Sequence, residues 1–177
     1  MSHRLIVFER DVATGNTVAN TVTPTTMAAV IRWPDNTDSL GNGGRVFRFR
    51  ARGYLSCIAG APGNLTFDFR WGSTSLGSSG AIALPGGGLT NTGWIIDGEF
   101  MVATTGTSGK VSSQAHGFIN NAGAGAMFNL LNTGSGTTGH VTVNTQTAAD
   151  IGIRVTFSVN NVGNTITMTH FLAEELT

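Results

Sequence analysis

The chain has 177 residues, a formal net charge of zero and only 11% charged residues, against about 25% in an average soluble domain. That balance excludes a protein dedicated to nucleic acid, whose footprint is a strongly basic face, and a disordered chain, which combines low hydrophobicity with high net charge. A single cysteine excludes an intramolecular disulfide framework.

From the N-terminus, "DVATGNTVANTVTPTT" alternates only weakly and has no aromatic anchor, so residues 1 to 26 are read as an extended arm ahead of a β-sandwich domain over 27 to 177. Such an arm is a candidate clamp on a neighbouring subunit. The apolar run Leu5 to Phe8 is far shorter than a signal-peptide core, and no stretch approaches the roughly 20 apolar residues that span a membrane. A soluble protein made in the cytoplasm is expected.

"MAAVIRW" reads as a strand ending at Pro34, followed by the turn-rich "PDNTDSLGNGG". In "RVFRFRARGYL", residues 45 to 55, alternation sends Phe47, Phe49, Ala51 and Leu55 one way and Arg48, Arg50, Arg52 and Tyr54 the other. Cys57 falls on the phenylalanine face and is expected to be a buried thiol. "LTFDFRW" follows after the short "APGN", and an antiparallel hairpin between these two aromatic-faced strands is the natural expectation. "GSTSLGSSGAIALPGGGLTN" is rich enough in glycine to be a loop or a short edge strand.

"WIIDGEFMVA", "KVSSQAHGFI", "AMFNLL", "DIGIRVTFSV" and "TITMTHFLAEEL" complete the series, separated by turns rich in Gly, Asn, Ser and Thr. The predicted fold is all-β: an antiparallel, jelly-roll-like sandwich of about eight to ten short strands with an extended N-terminal arm. On the last strand His170 shares an alternation face with Ile166, Met168 and Leu172, which places it at a core edge or a subunit contact.

No motif points to catalysis or to a cofactor. "GSGTTG" at 134 to 139 satisfies G-x-G-x-x-G, but a strand-like "HVTVNTQT" follows where a dinucleotide site needs a helix. "GTSGKV" has Thr104 and Val111 where a phosphate loop needs glycine and a hydroxyl. His3, His116, His140 and His170 stand too far apart in sequence to form a metal-ligand pair. Asp97 and Glu99 could serve as paired carboxylates in a hydrolase, although a solvated or ion-paired strand face explains them more simply.

The arginine row has three readings. Asp68 and Arg70 on the next strand, and Asp97 and Glu99 on another, could absorb it in cross-strand pairs. Arginine beside tyrosine is also favoured at protein interfaces, which makes Arg48, Arg50, Arg52 and Tyr54 candidate interface residues. Phosphate contact ranks third, since three arginines without supporting lysines would bind weakly and with strong salt dependence.

"GWIIDGEFMVATTGTSGKVSSQAHGF", and the closing "ADIGIRVTFSVNNVGNTITMTHFLAEEL" with its acidic pair before Leu176, resemble a group of small virion structural proteins of tailed bacteriophages. The resemblance spans roughly residues 27 to 176. It implies a jelly-roll-like sandwich, commonly trimeric, carried as a capsid cement or decoration protein or as a fibre or tail domain, with no active site. The function it implies is non-enzymatic: binding the outer capsid surface as an oligomer and stabilising it, in a virion assembled in the host bacterial cytoplasm. Its partners would be itself and the major capsid protein or another virion protein, with no cofactor, no membrane and no specific nucleic acid. The alternative is a receptor- or carbohydrate-binding jelly roll at a tail or fibre tip, using loops around Trp94 and Asn120 to Asn121.

Overall fold

The computed structural model describes residues 7–32, 43–120, 125–134 and 139–176, with side chains described from residue 17 onward and not for residues 28–32. Within these residues there are strands and turns but no helix. The strands are β1 (Val7–Ala19), β2 (Thr25–Arg32), β3 (Arg45–Cys57), β4 (Asn64–Trp71), β5 (Thr74–Ser78) and β6 (Ile82–Ala83). There follow β7 (Leu89–Thr104), β8 (Gly109–Ile119), β9 (Ala126–Asn132), β10 (Val141–Val143), β11 (Asp150–Phe157) and β12 (Thr165–Leu176). Twelve strands exceed the eight to ten expected, but β6 and β10 are only two and three residues long.

All pairings are antiparallel, and the main path runs β1-β12-β3-β7-β8-β9-β5-β4-β11-β2. It folds into two facing sheets. With the inserted strands β6 and β8 to β10 set aside, sheet A reads β1-β12-β3-β7 and sheet B reads β2-β11-β4-β5. β1 to β4 alternate between the sheets, and the two last strands return to lie beside the two first, which is the double Greek-key winding of a jelly roll. β9 joins the sheets by pairing β8 on one side and Gly77 and Ser78 of β5 on the other. β1 and β2, at the two ends of the path, come side by side, so the sandwich is nearly closed.

Within the segment read as an arm, Val7–Ala19 forms β1, which pairs with β12 of the same chain on both sides of a register shift between Asp11 and Asn16. The expected hairpin between β3 and β4 is not formed. β3 pairs with β12 and β7, while β4 pairs with β11, β5 and β6. The inner face of β3 carries Phe47, Phe49, Ala51 and Leu55 and that of β4 Leu65, Phe67, Phe69 and Trp71, and turning those apolar faces toward each other across the sandwich buries both. Phe49 and Phe69 stack at 4.0 Å between centroids, and Phe67 meets Trp94 at 5.3 Å. The connection crosses between sheets at Gly60 and Gly63, whose φ angles of 92° and 77° suit glycine. It is tied down by the buried Asn164, whose Nδ2 donates to Pro62 O at 2.9 Å and whose Oδ1 accepts from Ile58 N at 3.2 Å.

The core between the sheets is mostly aromatic and branched aliphatic. Phe47, Phe49, Phe67, Phe69, Phe157 and Phe171 are fully buried, and each such side chain removed from water contributes about 1.5–3 kcal/mol. At one end of this core Arg45 pairs with the buried Glu175 and its guanidinium lies 5.5 Å from the centre of the Phe47 ring. The neighbouring Glu174 points the other way, toward Arg48. Two successive acids thus serve opposite faces, as strand alternation requires.

Candidate functional site

The outer face of sheet A is laid out in rows set by strand register. Arg48 stands opposite Glu174 on β12 and Glu99 on β7, and Glu99 in turn opposite Gln114 on β8. The next row is Leu172, Arg50, Asp97, His116 and Asn129. The third is His170, Arg52, Ile95, Phe118 and Met127. Tyr54 opposite Gly93 begins a fourth, which Asn120 extends by donating its backbone N–H to Gly93 O at 2.9 Å.

Among the described residues the arginines find acids in the first two rows and not in the third. Arg48 lies 3.5 Å from Glu99 and 3.9 Å from Glu174, and Arg50 Nε donates to Asp97 Oδ2 at 2.8 Å. Asp97 and Glu99, the carboxylates weighed for hydrolysis, are therefore arginine partners. The acid column on β7 gives way to Ile95 at the third row, and among the described residues Arg52 has no ion pair. Of the four residues singled out in "RVFRFRARGYL", two are paired within the sheet, while Arg52 and Tyr54 border open surface.

Asp68 and Arg70 do not reach the arginine row, because β4 lies in the opposite sheet. On the outer face of sheet B, Asp68 accepts from Arg70 at 2.9 Å, from Arg154 at 2.8 Å and from Ser75. These three partners cover it almost completely.

His170 is not on the face of Ile166 and Met168. Thr169 is an extra residue where the β12 register shifts between Met168 and His170, and this bulge reverses the alternation. Ile166, Met168 and Phe171 are buried, while His170 and Leu172 fall on the outer side. Gly53 makes the bulge possible, since a Cβ there would run into the carbonyl oxygen of Thr167. Trp94 is likewise a core residue, 3% exposed, with Nε1 donating to the backbone oxygens of Tyr54 and Thr167 at 3.3 and 3.2 Å. Asn121 lies outside the described residues. Cys57 is buried as expected, and desolvation pushes its thiol pKa up despite a backbone hydrogen bond at Leu89 that lowers it.

Two features have no ionic explanation. A shallow depression of about 450 Å³ opens over Gly53, Gly93 and Trp94, rimmed by Arg52, Tyr54, Ile95, Phe118 and Asn120. On β9, Met127 and Leu131 are 78% and 69% exposed, on the same side of the strand as Asn129. Sequence alternation places these residues on the outer face but does not reveal that β7, β8 and β9 lie side by side. Among the described residues no three His, Cys, Asp or Glu side chains gather as a metal site. No family model matches the chain, and no curated protein matches it.

Proposed function

We propose that the chain is a non-enzymatic structural protein of a tailed-phage virion, a cement or decoration protein that assembles as a trimer and seats on the outer capsid surface. The observation that carries this reading is the apolar stripe on β9. On a face where Arg48 and Arg50 are neutralised by neighbouring acids, Met127 and Leu131 stand almost bare to water, and large apolar side chains exposed together on one strand mark surfaces that become covered. The jelly-roll winding, the scarcity of charge and the resemblance over roughly residues 27 to 176 support the same reading. Methionine and neutral polar residues suit the centre of a protein interface better than lysine or glutamate.

The test is the native mass of the purified chain by light scattering after size exclusion, across a salt series. A trimer that persists at high salt is expected, because an apolar contact is not screened. Replacing Met127 and Leu131 together by Asp should reduce it to monomers without unfolding it. A wild-type monomer at every salt concentration would overturn the trimer, and absence of the chain from purified phage particles by mass spectrometry would overturn the virion role.

A further inference from the structure

Gly93 sits in the interior of β7, a 16-residue strand, where glycine costs roughly 0.5–1 kcal/mol relative to alanine. At Gly53 the neighbouring backbone demands glycine; at Gly93 no described residue does. Its φ is not positive, and a Cβ built on it meets no atom of the described residues within 4 Å. A strand glycine free of conformational and packing need marks a place where something else approaches the backbone. Its missing side chain forms the floor of the depression.

The rim defines what would fit there. Rows of side chains on one face lie about 7 Å apart and strands about 4.8 Å apart. The depression covers two rows across β3, β7 and the end of β8, a footprint of about 7 by 10 Å, the size of one six-membered sugar ring with its substituents. Tyr54, Ile95 and Phe118 present apolar and aromatic surface, and Asn120 provides an amide beside them. Arg52 supplies a cation with no ion pair among the described residues, whereas Arg48 and Arg50 in the same strand have theirs. Asp11 is two strands away from Arg52, in register with His170.

We infer that the depression over Gly93 is a binding site for a carboxylate-bearing sugar, with Arg52 as the carboxylate ligand and Tyr54 and Phe118 against the ring. A sugar suits the shallowness: its alternating CH and hydroxyl faces can use aromatic contact and amide hydrogen bonds while one side stays wet. The guanidinium binds a carboxylate through two parallel N–H donors. The site stands on the depression alone, whatever larger assembly holds the chain.

The experiment is a titration of the purified full chain with N-acetylneuraminic acid and with methyl glucuronide, followed by amide chemical-shift changes, with methyl glucoside as the neutral control. Saturable binding of an acidic sugar in the high-micromolar to millimolar range is expected, roughly −3 to −5 kcal/mol, with shifts centred on Tyr54, Gly93 and Asn120. Methyl glucoside should bind at least about tenfold more weakly, as should Arg52→Gln with the acidic sugar, because both remove the charged hydrogen bonds. Gly93→Val should fold with an unchanged or higher Tm and lose binding. No saturable shift with either acid, equal binding of the neutral sugar, or binding that survives Gly93→Val would each overturn the proposal. So would a changed native mass in Gly93→Val, which would make the depression a subunit contact.

Discussion

On the outer face of sheet B, Asp68 is 8% exposed and accepts from Arg70, Arg154 and Ser75 at once; on the outer face of sheet A, Arg48 and Arg50 meet their acids with about half of each arginine in water, and Arg52 meets none among the described residues. Side chains of the same types thus make a closed cluster on one sheet and a graded, open surface on the other. The cause is position in the register. Asp68 lies between Arg154 on β11 and the hydroxyl-rich β5, so donors reach it from both flanks, whereas the acids of β7 end two residues before they would reach Arg52. Outer sheet faces built from the same charged side chains can therefore be sealed at one place and receptive at another.

Breaking the sealed side should have the largest effect. Asp68→Ala leaves two arginines facing each other without a counter-ion, and breaking a buried pair costs about 3–5 kcal/mol, on the order of 10 °C in Tm for a chain of this size. Thermal unfolding followed by circular dichroism checks this, and the loss should persist in 1 M salt. Arg50→Ser removes an exposed pair worth at most about 1 kcal/mol, a drop of roughly 2–4 °C that salt should erase. Arg52→Ser should leave Tm unchanged, since no ion pair among the described residues is lost with it. A fall at Arg52 as large as that at Arg50 would abolish the contrast between the two sheets.

The smallest effect concerns Cys57. Burial raises its thiol pKa, so the folded state holds the proton more tightly than the unfolded chain. Its contribution is therefore complete below the unfolded thiol pKa of about 8.5 and is lost as pH rises through the higher folded value. Thiol-reagent kinetics should show the native chain nearly inert at neutral pH and fully reactive in denaturant.

Alternation along "RVFRFRARGYL" correctly places Phe47, Phe49 and Leu55 in the core and Arg48, Arg50 and Arg52 outside, while pairing with Asp97 and Glu99 is one of three readings that the charges allow, and the register grants it to Arg48 and Arg50 alone among the described residues. What alternation does not carry is which strand lies next to which. Phe49 and Phe69 read equally well as neighbours in a hairpin and as partners across a core, and only the crossing at Gly60 and Gly63 decides. His170 is misplaced for a second reason: one added residue, Thr169, reverses the phase of a strand, and threonine is as common in regular strands as in bulges. The depression was out of reach for the same cause as the hairpin, because its rim comes from β3, β7 and β8. The sequence points to the loops around Trp94 and Asn120 to Asn121 for a sugar, yet the tryptophan is buried beneath the depression and Tyr54 and Phe118 are the rings that face out.

The place of β12 between β1 and β3 has a consequence for synthesis. As the chain leaves the ribosome, the first strand has no hydrogen-bonding neighbour in sheet A until the last has been made, and β2 waits in the same way for β11. Neither sheet can close around the nascent chain until β11 and β12 have emerged, so two strand edges stay open while all the strands between are made. Folding dominated by such distant pairings is slow, and open edges invite pairing with other chains. Yield of this protein should therefore depend less on the stability of its finished core than on how crowded its neighbours are while it is still incomplete.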